Sequence, residues 1–321
     1  MRPCANACSN IGRNYDVDAS WILIVRVTSA ELMHRCRGKA IIVCVALTLL
    51  AGCSAIQLGY SQADILLAWT ANSYFDLNAE QKRDFDRRID KLLAWHRREQ
   101  LPEYVHFFSA IKERTQRPVT RDDAVWVFEG FKERFRTVVR HGADDAVEML
   151  ATLNADNIHA LEQEWIEANR KFVREYHIDD TPQERHQARL KRTLKTIRDW
   201  TGSLTHEQEE RIATLARAIP DSDPLRHQDR VRRQKEFRAL LELRHNKTDF
   251  ASRLRDWMPN WEQGRTPEYE KTFEEAYEKR IALYVDLARL LTPQQRAHVQ
   301  NKLQNYINDM KALSAKHTAS N

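Results

Sequence analysis

Leu204-Thr205-His206-Glu207-Gln208 and Leu291-Thr292-Pro293-Gln294-Gln295 are two versions of one helix start. The threonine can accept a backbone N–H of the first turn, and the glutamine three places on can reach back to the threonine's own N–H. Leu77-Asn78-Ala79-Glu80-Gln81 repeats the form with asparagine as the cap, and Leu153-Asn154-Ala155-Asp156-Asn157 is a degenerate fourth copy. Eight places after each leucine comes another apolar residue: Phe85, Leu161, Ile212 and Val299. Leucine and follower can therefore face one core. The pattern predicts Leu77, Leu204 and Leu291 buried, with Asn78, Thr205 and Thr292 as caps. In chain order the copies lie 76, 51 and 87 residues apart. Such irregular spacing argues against a solenoid and for a recurrent way of starting core-facing helices.

Helical signals continue outward from these starts. Thr181-Pro182-Gln183-Glu184 reads as a capping box with proline at the first helical place, and Asp223-Pro224 and Thr266-Pro267 give the same cap-then-proline signal. Leu190, Leu194, Ile197 and Thr201 make one helical face; Leu161, Trp165, Ala168, Phe172 and Tyr176 make another. Periodicity predicts helices over 60–75, 79–99, 102–115, 121–140, 155–176, 182–201, 206–218, 224–244, 248–257, 267–290 and 293–314, with loops at 219–223 and 259–266. No segment alternates long enough for a strand. Only five glycines follow residue 52. The expected fold is all-α: a helical bundle or an extended helical array of about ten helices with short loops, in two lobes dividing near 180.

The N-terminal region speaks to location. An eleven-residue apolar run, Ala40 to Leu50, follows Arg35, Arg37 and Lys39 and ends in Leu50-Ala51-Gly52-Cys53. Basic, apolar, then small residues is the order of a secretory signal. The run is shorter than the roughly 20 residues that span a bilayer. The last four residues resemble a bacterial lipobox. That resemblance implies cleavage before Cys53 and acylation of its thiol, so that the membrane is a partner through the acyl anchor at Cys53. Ser54, rather than aspartate, suits the inner leaflet of the outer membrane, with the body facing the periplasm. Counted from Met33 the basic segment has an ordinary length. Residues 1–32 are thus expected to be an upstream extension, 33–52 the signal peptide and 53–321 the mature helical lipoprotein.

All five cysteines lie at or before Cys53, so the body beyond it has no thiol for a disulfide or a cysteine metal site. The chain carries 51 basic and 46 acidic residues; residues 1–53 hold six and three of these, leaving 45 against 43. A balance so even offers no basic excess for nucleic acid. No His-Glu-x-x-His, glycine-rich phosphate loop or Gly-x-Ser-x-Gly elbow occurs. The chain is therefore expected to work without cofactor or metal, and not as an enzyme.

Three clusters invite a binding reading. Trp95-His96-Arg97-Arg98 could form a recognition patch, with the tryptophan as anchor and the arginines for carboxylate or phosphate. The plainer reading puts Trp95 in the core and the charges in water or intrahelical pairs. His177-Ile178-Asp179-Asp180 has metal-ligand chemistry, yet a histidine at one helix end and aspartates ahead of the next are favoured by helix dipoles alone. Arg185, Arg189, Lys191, Arg192, Lys195 and Arg198 form a basic helix without an acidic residue between them. It could face anionic headgroups or an acidic partner, or pair with neighbours such as Glu274, Glu275 and Glu278.

Leu58-Gly59-Tyr60 with Ala63-Asp64, Leu92-Leu93-Ala94-Trp95-His96-Arg97-Arg98-Glu99 with Leu101-Pro102, and Leu291-Thr292-Pro293-Gln294-Gln295-Arg296-Ala297-His298 resemble a family of uncharacterised Gram-negative lipoproteins defined only as a domain of unknown function. That resemblance implies no activity and no catalytic residue. The recurring Leu-Thr-x-x-Gln form is also similar to small periplasmic stress chaperones, and more loosely to helical lipase foldases. The former are much shorter and build a cradle from paired chains, a geometry that does not transfer here. Together these readings lead to the expectation of a lipid-anchored periplasmic protein that binds envelope proteins or unfolded clients, or else maintains the envelope at the membrane surface.

Overall fold

The computed structural model describes residues 55–318. Leu50, Ala51, Gly52 and Cys53, like the rest of the segments 1–32 and 33–52, lie outside the described residues. In chain order come α1 (Ala55–Ser61), α2 (Ala63–Phe75), α3 (Ala79–Trp95), α4 (Leu101–Arg114), α5 (Arg121–Leu150) and α6 (Ala155–Glu175). They are followed by α7 (Pro182–Thr201), α8 (His206–Arg217), α9 (Asp223–Glu242), α10 (Lys247–Trp257), α11 (Pro267–Leu290) and α12 (Pro293–Thr318). A π-helical turn, His96–Gln100, joins α3 to α4, and a 3-10 turn, Leu243–His245, joins α9 to α10. Among the described residues there is no strand. The protein is all-α, with short loops.

Helix begins at Ala55 rather than 60 and breaks at Gln62, α3 gives way to the π turn after Trp95, and α12 runs to Thr318 rather than 314. Two further limits differ for a clear physical reason. Helix α5 runs on to Leu150 rather than stopping near 140. Ala143, Val147 and Leu150 continue its buried stripe, and that burial outweighs the roughly 1 kcal/mol cost of Gly142 inside a helix. Asp223 is not a cap. Helix α9 begins at Asp223 itself, with Ser222 before it making no side-chain cap bond. The Asp223 carboxylate instead accepts from Arg192 at 3.0 Å.

At 30 residues, α5 is about 45 Å long and serves two neighbourhoods. Its C-terminal Val147, Met149 and Leu150 join Leu161 of α6, Leu241 of α9 and Phe250 and Leu254 of α10 in the largest core. That core draws on residues from both sides of position 180. Its N-terminal Ala124 and Phe128 pack on Ile281 and Val285 of α11, and Trp126 meets Phe107 and Ile111 of α4. A Cβ at Gly130 would collide with the Phe107 ring, so glycine is what lets α4 close on α5. A separate core holds Ile197 of α7, Ile212 of α8 and Leu283 and Leu287 of α11. Helix α12 lies along α4 and also touches α1 and α7.

Candidate functional site

Four of the capping boxes meet in two pairs. Gln81 Oε1 accepts the Asn78 N–H at 3.0 Å, while Gln81 Nε2 donates to Asn157 Oδ1 at 2.9 Å and to the Thr152 carbonyl at 3.0 Å. Asn157 answers in kind. Its Oδ1 accepts the Asn154 N–H at 2.9 Å, and its Nδ2 donates to the carbonyls of Phe75 at 2.8 Å and Asp76 at 3.2 Å. The second pair repeats the arrangement. Gln208 Nε2 donates to Gln295 Oε1 and to the Leu290 carbonyl, both at 2.8 Å. Gln295 Nε2 donates to Gln208 Oε1 at 2.9 Å and to the Ser203 carbonyl at 2.8 Å. Their oxygens accept the Thr205 and Thr292 N–H groups at 3.0 and 2.9 Å.

Each amide thus reaches the carbonyl just before the other motif's leucine: Thr152 before Leu153, Asp76 before Leu77, Leu290 before Leu291, Ser203 before Leu204. All four amides are buried, and a buried amide costs little only when both its ends are bonded. The chemistry requires amides. The boxes at Thr120–Asp123 and Thr181–Glu184 carry carboxylates at the same place. A carboxylate has no donor, so it cannot exchange bonds with a twin. Asp123 turns to Arg117 instead, at 2.6 Å, and that partner holds its carboxyl well below the usual carboxylate range. Leu77 is fully buried, but Leu204 and Leu291 are only half-buried on the rim of the α7–α8–α11 core. The smaller core there covers less of them.

The predicted patch lies at the other end of α3. Pro102 has no N–H to return to the carbonyl four places back. Leu101 N–H bonds instead to the His96 carbonyl, five back, and the ladder widens into the π turn. The wider turn separates the four residues. Trp95 is buried, stacked on His141 at 3.6 Å between centroids, with its Nε1 donating to Glu99 at 2.7 Å. His96 points to α1, where its Nδ1 lies 2.7 Å from the Tyr60 hydroxyl; its Nε2 lies 3.3 Å from the Tyr104 hydroxyl. Arg97 lies over the Tyr60 ring at 5.4 Å, and exposed Arg98 pairs with Glu99 at 2.8 Å.

Burial, and secondarily the Arg97 charge, pushes His96 down to about 4. Burial pushes Tyr60 well above the usual phenol range and Tyr104 up to about 12. All three rings are therefore neutral near pH 7, and they bridge hydroxyl to imidazole to hydroxyl. The bridge seats α1. Ile56 and Tyr60 pack on Leu101, Met310 and Leu313, and Gln57 donates to Asp309 at 2.9 Å. Helices α1 and α2 expose four large apolar side chains, Leu58, Ile65, Leu67 and Trp69, at 54, 60, 39 and 42 %, beside Ser61 and Ser73.

Most of the remaining candidates pair with near neighbours, while Lys191 and Lys195 are exposed. Arg185 and Arg189 bind Asp221 at 2.7 and 3.1 Å, Arg192 binds Asp223, and Arg198 binds Glu209 at 2.5 Å. These partners replace the expected Glu274, Glu275 and Glu278, because α7 packs beside α8 and the loop before α9; Glu278 pairs with Arg121. His177, in a left-handed conformation with φ 57°, pairs with Asp180 at 2.7 Å. No group of three His, Cys, Asp or Glu able to hold a metal occurs among the described residues. A hollow of about 330 Å³ between α8 and α11 has an apolar floor of Leu215, Ile281, Ala282 and Val285, and its rim carries the Arg211–Asp286 and Arg121–Glu278 pairs and Arg289. Among the described residues no helix is long and apolar enough to cross a membrane.

An all-helical body held by paired amide caps, with its first helix clasped by a neutral tyrosine–histidine–tyrosine bridge, defines the class. Residues 73–270 match a family of unknown function, DUF6279, and the chain belongs to that family. The match includes the Trp95–Pro102 stretch and both members of the Gln81–Asn157 pair; the stretches at 58–64 and 291–298 lie outside it. It carries the unknown-function family only, and neither lipoprotein identity nor chaperone likeness. No curated protein and no solved structure matches the chain.

Proposed function

We propose that this protein is a lipid-anchored component of the bacterial envelope, held by Cys53 in the inner leaflet of the outer membrane and facing the periplasm. It works there by binding rather than by catalysis. The observation that carries the reading is the Leu50-Ala51-Gly52-Cys53 tetrapeptide, which ends two residues before α1. Helix α1 is docked on α4 and α12, so an anchor at Cys53 would be coupled to the body almost without a linker. Acyl chains on one cysteine act additively, at about 0.8 kcal/mol per buried methylene, so several make attachment effectively permanent.

The membrane-surface role is favoured over a chaperone-like one by where the apolar exposure sits. It runs along α1 and α2, next in sequence to Cys53, whereas the hollow between α8 and α11 is small, its apolar floor of Leu215, Ile281, Ala282 and Val285 rimmed by charged side chains. A client-holding protein needs apolar concavity. Envelope partners docking on the body are the expected ligands, with no nucleic acid and no cofactor.

The test is mass spectrometry of the N-terminal peptide from the membrane fraction of a Gram-negative host. The expected result is a mature chain beginning at an acylated Cys53, with Cys53→Ser left as an unanchored or uncleaved precursor. An unmodified Cys53 in the membrane-bound protein contradicts the reading. Turnover of an ester, peptide, glycan or phosphate substrate, abolished by one His, Asp or Glu substitution that leaves the fold intact, contradicts the binding role.

A further inference from the structure

We propose that the outward face of α1 and α2, marked by Leu58, Ile65 and Trp69, lies in the headgroup region of the bilayer that the Cys53 anchor enters. The proposal rests on the lipoprotein reading and deepens it: the membrane is a surface that the folded body touches, as well as the place where its acyl chains end.

Three observations carry it. The first is exposure. Ile65 and Trp69 stand one turn apart on α2, and Leu58 is on α1, which ends at Ser61 just before it. They are 54, 60 and 42 % exposed and Leu67 beside them is 39 % exposed, while Ile56, Tyr60, Ala71 and Tyr74 of the same helices pack on the body. Isolated apolar exposure is ordinary, as at Phe131, Ile166 and Leu290 on three separate helices. Four within twelve residues of two consecutive helices are not ordinary.

The second observation is charge. Between residues 55 and 75 the only charged side chain is Asp64. A water-facing helix in a protein with 30 % charged residues has ample opportunity to carry more. Arg97, over the Tyr60 ring, stands at the flank of α1. That is where cations meet anionic headgroups, and tryptophan is enriched at the same depth.

The third observation is reach. Cys53 is two residues from Ala55, and an extended chain covers at most about 7 Å in that distance. The start of α1 is therefore held within about one helix diameter of the anchor. The bilayer is always within reach of this face, as no soluble partner is, which selects lipid as its occupant.

The experiment uses the full chain, produced with its signal, purified from membranes and reconstituted into phosphatidylethanolamine–phosphatidylglycerol vesicles. The acyl chains of these lipids are brominated near the headgroup, so that tryptophan at that depth is quenched. Wild type should show a quenched component that Trp69→Phe lacks. Ile65→Asp and Leu58→Asp should cut that component at least about threefold, with helicity and Cys53 acylation unchanged. Intact-mass analysis of the same samples separates the two readings. An acylated Cys53 with no Trp69 quenching overturns the docking face and leaves the anchor standing, the result expected if a second copy or a protein partner covers it. An unmodified Cys53 with Trp69 still quenched supports the docking face and removes the anchor. An unmodified Cys53 with no quenching overturns both.

Discussion

The Gln81–Asn157 and Gln208–Gln295 pairs use one hydrogen-bond scheme in two settings. The first closes the largest core, where Leu77 and Leu153 are both fully buried. The second closes a smaller core, with Leu204 and Leu291 half-buried at its edge. The first mixes glutamine with the shorter asparagine, whose Nδ2 lies 3.4 Å from Gln81 Oε1, a long return bond. Two glutamines bond each other at 2.8 and 2.9 Å. Bonding is tighter in the second pair and burial deeper in the first. The amides themselves are equally buried, so the difference lies in the leucines they hold: the first pair secures fully buried ones and should matter more to stability despite its longer bond.

The largest expected effect comes from turning an amide into a carboxylate. Gln81→Glu keeps an acceptor for the Asn78 N–H but loses both donors, and it sets a charge against the Thr152 carbonyl. It should cost about 4 kcal/mol, and Gln208→Glu about 3 kcal/mol. Guanidinium denaturation of the two variants measures both; equal costs, or costs no larger than losing one cap, break the comparison. Burial alone is sharpened by Leu77→Ala, expected at about 3 kcal/mol, against Leu204→Ala at about 1.5 kcal/mol. The reverse order would mean that the second core is the stronger one.

Much of this was legible locally. Six boxes start helices at Asn78, Thr120, Asn154, Thr181, Thr205 and Thr292. Four were read as recurring starts from Leu, cap and amide spacing alone, because capping is decided within one helical turn. Their pairing was not legible, since it joins residues 76 and 87 apart. Yet a signal was present: Gln81, Asn157, Gln208 and Gln295 are amides where Asp123 and Glu184 are acids. An amide used only for capping has no need of its donor end. The degenerate copy at Leu153 was as real as the others.

The anchor-proximal site was less readable. Trp95 and His96 drew attention by composition, but their partners Tyr60, Tyr104 and His141 come from α1, α4 and α5. Ring contacts of this kind leave no spacing rule. Pro102 was the missed clue to the π turn, as it removes the N–H that a regular ladder needs there.

A pH titration separates this site from the amide pairs, which contain no titratable group. His96 falls from 6.5 to about 4 in the folded protein, so between these values the unfolded chain binds the extra proton. Its stabilising effect is complete above about pH 6.5 and is lost as pH falls toward 4, by about 2 kcal/mol between pH 7 and pH 5. His96→Gln should flatten that part of the stability curve, while Gln81→Glu and Gln208→Glu should leave the His96 contribution in place. A wild-type curve with no slope in this window contradicts a neutral, enclosed His96.

The central claim is that four helix starts act as two coupled pairs. Double-mutant cycles with alanine test it most directly. Gln81 with Asn157, and Gln208 with Gln295, should each show a coupling energy of about 1–2 kcal/mol, while Gln81 with Gln208 should be additive within about 0.5 kcal/mol. Additive costs within either pair, or coupling between Gln81 and Gln208 as large as that within the pairs, would contradict it.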